Sequence, residues 1–472
     1  MSDRDYECII GLEVHIALNT RHKLFCECAT AFGAPPNTHV CPVCLGMPGA
    51  LPVLNREAVD FAVRAAFATH GTITRRFRFD RKNYFYPDMP KAYQITQHDL
   101  PISVGGYVDI PVGDEVRRIH LDRIHLEEDA GKLTHTPDGT LVDCNRAGVP
   151  LIEVVSMPEL RSGEEAVAFL RKLRSMVRYT GISDGKMNEG SMRCDINLSV
   201  RKKGSRALGT RTEMKNLNSF NYVAQAIESE FKRHVERIDA GETIERETRR
   251  FDEAAGTTFA MRKKADVGDY RYYPEPDIPY VTVTDENLES VRRSIPRLAD
   301  ERQAAYIADY GLTAYEAERL TEEKALSDFF EAAVAHTRAP KTLVNLILAD
   351  VAPRFTEDTA PAVNAEHMGR LADLVEADTV NSNTGRKVLK AMIEDGVDPD
   401  RYIETHNLAQ INDRDVLAPI VRDVLTHNER AVRDYRNGKK AAMRALIGRV
   451  MKATAGRANP VLVESMLADA LE

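Results

Sequence analysis

Acidic residues and a histidine recur inside apolar stretches of the first third of the chain. Glu13 and His15 interrupt GLEVHIAL, Glu153 lies within PLIEVV, and Glu127 and Glu128 begin a run of three consecutive acids. Bringing such acids together is unfavourable unless a cation neutralises them, and carboxylates with one imidazole are suitable ligands for Mg²⁺. For any single residue, a solvated charge at a strand edge is the commoner explanation. For the set of five, we predict a catalytic magnesium site.

Four cysteines form a second candidate metal site. Cys26 and Cys28 are spaced as CxC, Cys41 and Cys44 as CxxC, and 12 residues separate the two pairs. Zinc prefers thiolate ligands, and these spacings suit a tetrahedral structural site that leaves no coordination position open for catalysis. A catalytic CxxC redox pair is the weaker alternative, because all four thiols occur together.

The stretch from Phe79 to His98 is crowded with charged, amide and phenolic side chains. It fits neither helix nor strand periodicity, and Pro87 and Pro90 restrict its backbone, so we expect a rigid turn with an aromatic underside. Taken alone, an ordinary surface loop and a binding site explain it equally well. The neighbouring acids favour the binding site, because ordering a polar loop costs conformational entropy.

Composition limits the class of protein. The chain has 472 residues, of which 43% are hydrophobic and 29% charged, and its net charge is −8. It is long enough for two to four domains, and its overall charge does not favour nucleic acid. No apolar run approaches the roughly 20 residues that span a bilayer, and no secretion signal is visible, so we predict a cytoplasmic protein without a membrane partner. The seven cysteines are therefore not expected to form disulfides.

Local patterns predict the elements that carry these residues. Alternation predicts strands over 7–18, 107–127 and 143–155, with a hairpin turn at Gly113-Asp114. Amphipathic spacing predicts helices over 55–70, 162–180 and 221–240. Asn55 is the expected N-cap of the first helix, and Ser162 with Glu165 forms an expected capping box at the start of the second.

The sequence changes character near residue 292. Beyond it the chain is rich in Ala, Leu, Glu and Asp with few strand signals, so we predict a helical domain over 293–398 and a small helical tail domain over 399–472. Residues 429–458 hold nine Lys and Arg against two acids, a net charge of +7. Such a local excess predicts contact with a phosphate backbone, although a solvated basic helix face is the alternative.

Longer motifs carry a specific resemblance. The segments GLEVHIAL, FDRKNYFYPDMPKAYQIT, HLEEDAGK, NRAGVPLIEVVSMPEL, EGSMRCDINLSV, MKNLNSF, DYRYYPEPD and MKATAGRANP occur in this order over essentially the whole chain. They resemble the B-subunit family of the aspartyl/glutamyl-tRNA amidotransferases. The resemblance implies an α+β fold, in which a mostly antiparallel-sheet cradle domain with a kinase-like site (1–292) precedes the helical domain and the tail domain.

The resemblance also implies an activity. Such a protein uses ATP and Mg²⁺ to phosphorylate the side-chain carboxylate of Glu or Asp on a misacylated tRNA. Ammonia from a glutamine-hydrolysing amidase partner, the A subunit, then displaces phosphate, and a small C subunit completes a heterotrimer. The chain has no Walker A motif and no Gly-Ser-Ser-rich amidase signature, which is consistent with a different nucleotide site and an external source of ammonia.

Residue roles follow from the same resemblance. The expected catalytic residues are Glu13, His15, Glu127, Glu128 and Glu153, with Glu13, His15, Glu128 and Glu153 as the magnesium ligands. Candidates for ATP or substrate contact are Arg81, Lys82, Tyr84 and Lys91. The cysteines 26, 28, 41 and 44 form a zinc knuckle found in some family members. Candidates for tRNA contact in the tail are Arg436, Lys439, Lys440, Arg444 and Lys452.

Two other classes of function compete with this one. A zinc-stabilised tRNA-binding scaffold would need no catalytic chemistry, and its five acid and imidazole side chains need not meet in space. A stand-alone metal-dependent hydrolase would be active without partner subunits. Whether Glu-tRNA, Asp-tRNA or both are substrates cannot be read from the sequence.

Overall fold

A computed structural model of the chain describes residues 5–263, 270–355 and 360–471. It divides into two compact units, Met1–Leu298 and Ala299–Glu472. The first combines a large sheet with helices, and the second is helical. The expected combination of an N-terminal sheet with a helical C-terminal region is therefore confirmed.

The strands all lie in the first unit. They are β1 (Tyr6–Ala17), β2 (Thr72–Ile73), β3 (Arg76–Phe77), β4 (Asp80–Asn83), β5 (Tyr93–Thr96), β6 (Ser103–Val104), β7 (Tyr107–Val112), β8 (Glu115–Glu128), β9 (Lys132–Thr136), β10 (Gly139–Asp143), β11 (Pro150–Ser156), β12 (Met192–Lys202), β13 (Thr212–Leu217), β14 (Glu247–Asp252), β15 (Thr257–Lys263), β16 (Tyr273–Pro274) and β17 (Val281–Thr282).

The largest sheet has ten strands in the order β15-β14-β13-β12-β1-β11-β8-β6-β2, with β7 paired to β8. Within the described chain, only β13 and β14 pair in parallel in this sheet, and the other neighbours run antiparallel. Parallel neighbours need a crossover, and a helix connects β13 to β14. The predicted hairpin turn at Gly113-Asp114 joins β7 to β8.

The helices of the first unit are α1 (Arg56–Ala68), α2 (Gly163–Tyr179), α3 (Phe220–Asp239) and α4 (Asp285–Ser294). Those of the second are α5 (Ala299–Tyr310), α6 (Ala314–Thr321), α7 (Lys324–Val334), α8 (Pro340–Leu346), α9 (Ala365–Glu376), α10 (Ser382–Asp395), α11 (Pro399–Thr405), α12 (Arg414–Thr426), α13 (Glu429–Arg436), α14 (Ala441–Ala453) and α15 (Pro460–Leu471). No helix in the described ranges is long and apolar enough to cross a membrane.

Alternation along β1 separates the two faces of the sheet. Leu12, Val14 and Ile16 are fully buried in an apolar core that also includes residues of α1, α2 and α3. Glu13 and His15 project from the opposite face because successive side chains of a strand alternate. The helices therefore cover one face of the sheet and leave the other for polar side chains.

Predicted helix caps are confirmed at two positions and altered in one detail. Asn55 accepts a hydrogen bond from Glu57 N, and Ser162 Oγ accepts one from Glu165 N. The expected reciprocal bond of a capping box is absent at Ser162. The Glu165 carboxylate instead accepts from Arg161 N at 2.7 Å and from Arg117 Nη1 at 2.7 Å.

The interpretation of residues 79–98 as a loop without strands is wrong. β4 pairs with β5 to form a hairpin, in which Lys82 lies opposite Gln94, and residues 84–92 connect the two strands. Each strand has only four residues, and both are largely polar, so neither shows a periodicity that can be recognised locally. The aromatic underside is also only partly correct, because Phe85 and Tyr86 are exposed while Phe79 is buried.

The second unit contains two apolar clusters. The first draws its buried residues from Tyr306 to Ile403, and the second from Leu417 to Leu471. The chain division between compact units falls at 298/299, whereas the sequence places boundaries near 292 and 398. The three-domain division remains a prediction.

Candidate active site

Strand register brings two groups of acids to the polar face of the large sheet. His15 lies opposite Glu153 of β11, and Glu153 in turn lies opposite His125 of β8. Glu13 lies opposite Asp195 of β12. Because β1 is between β11 and β12, it contributes one residue to each group.

The first group, here called the histidine cluster, consists of His15, Glu127 and Glu153. One ligand atom from each lies within 4.8 Å of the other two. His15 Nε2 is 3.5 Å from Glu127 Oε1 and 3.3 Å from Glu153 Oε2. Both carboxylates are largely buried, at 4% and 13% side-chain exposure. Two carboxylates and an imidazole at this separation fit a divalent cation such as Mg²⁺ or Mn²⁺.

His125 completes the surroundings of the two carboxylates. Its Nε2 is 3.3 Å from Glu153 Oε2 and 3.6 Å from Glu127 Oε2, and its Nδ1 has no hydrogen-bond partner among the described residues. Burial alone would lower the pKa of His125, but the charges of Glu153 and Glu127 outweigh it and raise the pKa to about 9. Without a metal, a protonated imidazole therefore supplies the positive charge that this buried site needs.

The same balance acts on the other members of the cluster. Burial opposes ionisation of His15, yet Glu153 and Glu127 raise its pKa above the ordinary value. Burial would raise the pKa of Glu153 and of Glu127, but the two histidines hold both below their usual range. The carboxylates are thus kept ionised, which is the form that ligates a cation.

The second group, here called the acidic cluster, consists of Glu13, Asp195 and Glu213. Their ligand atoms also lie within 4.8 Å of one another. Lys215 is ion-paired to Asp195 and lies 3.0 Å from Glu213 Oε1, and Asn197 donates to Glu13 Oε1 at 2.9 Å. Burial, with the charges of Glu153 and Asp195, raises the pKa of Glu13. Glu13 thus belongs to a neighbouring group that already holds a cation, Lys215.

Glu128 does not join either group. It follows Glu127 in β8 and therefore projects to the other side of the strand. Its carboxylate pairs with Lys91 and accepts a hydrogen bond from Ile95 N at 2.9 Å. The five residues expected at one magnesium ion are therefore divided, with three in the histidine cluster, Glu13 beside it and Glu128 separate.

The four residues expected to contact ATP or substrate also divide. Arg81 is fully engaged, because its Nε and Nη2 bond Glu275 at 2.5 and 2.9 Å and its Nη2 also bonds Asp277 at 3.0 Å. Lys91 is held by Glu128, as described above. Lys82 and Tyr84 instead line a cleft over the polar face.

This cleft encloses about 1430 Å³. Its lining includes the three members of the histidine cluster, Asp195 of the acidic cluster, and the cations Lys82, Lys132, Arg146, Arg193, Lys215 and Arg250. Burial opposes the charge of Lys82, but Glu127 and other neighbours raise its pKa, so it stays protonated. A cleft with carboxylates on its floor and cations around it suits a metal-bound polyanion.

The four cysteines of residues 26–44 meet as predicted, with sulfur atoms within 4.8 Å of one another. Buried Lys23 donates to Cys44 Sγ at 3.6 Å and to the carbonyl oxygens of His39 and Cys144 at 2.7 and 3.2 Å. Hydrogen bonding from Cys26, with support from Lys23, lowers the pKa of Cys44 to about 4. Clustered thiols with one readily ionised member can hold a metal, and the arrangement is compatible with structural zinc.

Comparison with known proteins decides the family. Residues 8–289 match the family model described as the GatB/GatE catalytic domain, and residues 328–471 match the one described as the GatB domain. The chain is 48% identical over 477 residues to the B subunit of the aspartyl/glutamyl-tRNA(Asn/Gln) amidotransferase of Caldicellulosiruptor saccharolyticus, covering 99% of both chains. It is 49% identical over 470 residues to that of Geobacillus kaustophilus, covering 98% of this chain and 99% of the relative.

The chain belongs to the B-subunit family of the aspartyl/glutamyl-tRNA(Asn/Gln) amidotransferases. The matched catalytic-domain model includes both clusters, the cleft and the cysteines. The matched second model includes the basic segment of the helical unit. The resemblance found in the sequence motifs is therefore confirmed.

In this B-subunit family member, the residues expected to contact tRNA lie at an exposed surface. The five are Arg436, Lys439, Lys440, Arg444 and Lys452, and all are exposed. Lys439 pairs with Asp434 at 2.9 Å, whereas Lys440 and Arg444 are four residues apart at the start of α14 and share a face. This surface is here called the basic face.

Several residues of the B-subunit site were not selected from the sequence. They are His125, Arg193, Asp195, Glu213 and Lys215. A signal was available for His125, which stands two residues before Glu127 in the same strand, as Glu13 stands before His15. Glu213 joins the group only through the pairing of β12 with β13, where the register shifts, so nothing local indicates it.

Proposed function

We propose that this chain catalyses phosphorylation and then amidation of the side-chain carboxylate of Glu or Asp carried by a misacylated tRNA(Gln) or tRNA(Asn). A carboxylate oxygen attacks the γ-phosphorus of ATP, the bond from that phosphorus to the bridging oxygen breaks, and ADP leaves. Ammonia then attacks the acyl phosphate carbon, phosphate leaves, and the amide forms after loss of a proton. Activation is needed because a free carboxylate is a poor electrophile.

The convergence of His15, Glu127 and Glu153 at the floor of the cleft is the observation that carries this proposal. These residues are proposed to hold Mg²⁺, which when bound supplies positive charge to phosphoryl oxygens as negative charge develops on them. Glu13 of the acidic cluster and His125 are proposed to keep that floor ionised and ordered. Glu128 is proposed to act from outside the cluster, through its ion pair with Lys91.

Substrate contacts are assigned to the cleft wall. Lys82 is proposed to bind phosphate, since it lines the cleft and is drawn toward the carboxylates of the histidine cluster. Tyr84 lines the same wall and is proposed to contact the aminoacyl end. Arg81 and Lys91 are proposed to support the hairpin that presents these side chains, because carboxylates already occupy them.

The remaining parts are proposed to serve assembly and tRNA binding. Ammonia would come from an amidase partner, the A subunit, with a small C subunit in the same complex, as the names of the B-subunit relatives and the sequence resemblance indicate. The four cysteines would bind structural zinc. The basic face would contact the tRNA backbone, because clustered exposed cations favour polyanions.

The test compares variants in the complex assembled with the A and C subunits. Cleavage of ATP and formation of amide on Glu-tRNA and Asp-tRNA are measured with added ammonium, which removes dependence on glutamine hydrolysis. Glu153→Gln should lose at least about 100-fold in both rates while tRNA affinity is retained, because it removes a ligand charge from the floor. Glu289→Gln, at an exposed ion pair on α4, is the matched control.

Either outcome is informative. Unchanged rates in Glu153→Gln would contradict the proposal and favour a tRNA-binding scaffold whose acids are structural. Full activity of the isolated chain without partners would favour a stand-alone hydrolase. Glu128→Gln measures how far a carboxylate outside the histidine cluster matters to the same reaction.

A further inference from the structure

Arg193 occupies a position on the polar face that no role described above uses. It lies directly opposite His15 in the pairing of β1 with β12, and it lines the cleft. We propose that Arg193 contacts the phosphoryl group that is transferred in the cleft, with its guanidinium held in place by Asp129. The inference rests on the proposed function and assigns a residue to its phosphoryl-transfer step.

Asp129 is built as a fixed anchor. It is 5% exposed, its Oδ2 accepts from Arg193 Nη2 at 2.8 Å, and its Oδ1 accepts from Ala130 N at 2.9 Å. Its backbone is also held, since its N donates to Val149 O and its O accepts from Gly148 N. Arg146 Nε lies 3.4 Å from the same Oδ2. The carboxylate therefore has little freedom to move, and neither has the end of Arg193 that it binds.

The rest of the Arg193 guanidinium is not used by the protein. A guanidinium carries five N–H donors in a planar fork. Within the described chain, the hydrogen bond to Asp129 is the one that Arg193 makes, and its Nε, shielded from solvent, has no acceptor. One third of the side chain is exposed in the cleft. An anchored guanidinium with donors left over is suited to bidentate contact with phosphate oxygens.

The other cations near the cleft floor are committed differently. Lys215 is bound between Asp195 and Glu213, so its charge is spent within the acidic cluster. Lys82 approaches the histidine cluster from the β4–β5 hairpin, whereas Arg193 approaches from the large sheet. Burial would lower the pKa of Arg193, but Asp129, Glu127 and Asp195 raise it, so the charge is kept. Lys82 and Arg193 thus give the bound phosphate two cations from different elements.

Substitutions at Arg193, made in the complex with the A and C subunits, test this role. Arg193→Ala should lower kcat for ATP cleavage on the order of 100-fold, while the affinity for ADP, which lacks the transferred group, changes less than about twofold. Arg193→Lys keeps a charge without the fork and should fall between Arg193→Ala and the wild type. Added guanidinium should restore part of the activity of Arg193→Ala, which it would not do for a residue that only supports the fold.

Arg201→Ala is the matched control, because Arg201 is in the same strand and pairs with Glu7 at 2.8 Å, yet is not part of the cleft lining. It should stay within about twofold of the wild type. Wild-type kcat in both Arg193 variants, equal losses of ADP and ATP affinity, or no rescue by guanidinium would each overturn the inference. If Glu153→Gln and the Arg193 variants all keep wild-type rates, the proposed function fails; if only the Arg193 variants do, this inference alone fails.

Discussion

Glu230 shows how a single side chain can be charged without any exposed surface. Its carboxylate accepts hydrogen bonds from Thr212 at 2.8 Å, Thr258 at 2.6 Å and Arg233 at 2.6 and 3.0 Å, and His234 Nε2 lies 3.0 Å away. Burial would raise the pKa of Glu230, but these partners hold it far below the ordinary value. The carboxylate thus joins α3 to β13 and β15.

Replacing Glu230 should therefore reduce stability in a pH-dependent way. Glu230→Gln leaves buried cations without their partner and should cost about 3–5 kcal/mol in the free energy of unfolding near pH 7. Since the folded pKa is depressed, the contribution is present above the ordinary value of 4.5 and is lost as pH falls toward the folded pKa. Denaturant unfolding of wild type and variant at pH 7 and pH 4 measures the difference, which should be smaller at pH 4.

Glu236→Gln provides the control for Glu230→Gln. It lies on the same helix, is 66% exposed and pairs only with Lys232, at 3.9 Å, among the ion pairs of the described residues. Its replacement should change stability little at either pH. An equal loss in both variants would mean that the buried network contributes no more than an ordinary surface carboxylate.

How far single residues can be placed from sequence depends on whether the information is local. The two-residue spacing of Glu13 and His15 is enough to put them on one face of β1, where the structure has them. Their assignment to different clusters follows from the partners Glu153 and Asp195, which are more than 130 positions away in the chain. The ion pairs that occupy Arg81 and Lys91 are likewise non-local, so composition alone could not separate them from Lys82.

Among the structural elements, the turn after Cys44 makes the closest approach to the β4–β5 hairpin. Gly46 has a φ of 66°, and a Cβ placed there would lie 2.6 Å from Lys91 Cγ and 2.9 Å from Lys91 Cα. Lys91 in turn pairs with Glu128. The cysteines thus support the hairpin that carries Lys82 through an approach that only glycine permits.

Gly46→Ala should consequently disturb more than its own turn. Gly49 also has a positive φ, of 86°, but a Cβ there meets nothing within 4 Å, so Gly49→Ala carries the same kind of backbone cost without the clash. That shared cost is about 1–2 kcal/mol. Gly46→Ala should lose more stability than Gly49→Ala and show faster amide exchange in β5. Equal effects would show that Lys91 moves aside freely.

Short polar strands are the elements that local patterns fail to predict. The long helices and β1, β8 and β11 follow from periodicity and caps, and the structure has them within a few residues of the predicted bounds. The β4–β5 hairpin does not, because its strands exist through mutual pairing and through β16, nearly 200 residues further along. Its stability comes from tertiary interactions that no window of sequence contains.

In the whole molecule, the polar cleft and the basic face belong to different compact units. The helical nature of the second unit was predictable from its composition. Its separation into two apolar clusters was not, because cluster membership depends on packing between helices distant in the chain. Net charge is a property of the entire chain and conceals the local excess of cations.

Charge reversal on the basic face should weaken tRNA binding without affecting the cleft. The double variant Lys440→Glu, Arg444→Glu should lower affinity by about tenfold or more, and the slope of log affinity against log salt should fall by about one for each phosphate that is no longer bound. The pair Arg386→Glu, Lys390→Glu makes the same charge change with the same spacing on exposed α10 and should have a much smaller effect. Binding titrations at several salt concentrations distinguish the two, and equal losses would indicate only a general charge effect.

The central position of β1 also determines when the polar face can form during synthesis. β1 is made first, yet its neighbours β11 and β12 end at Ser156 and Lys202. At about 5–20 residues per second, a ribosome needs roughly 10–40 s to make those 200 residues, and until then the apolar side of β1 has no partner. Nascent chains of this protein are therefore natural clients for chaperones that shield exposed strands, and the ends of the cleft floor are joined only after more than a third of translation is complete.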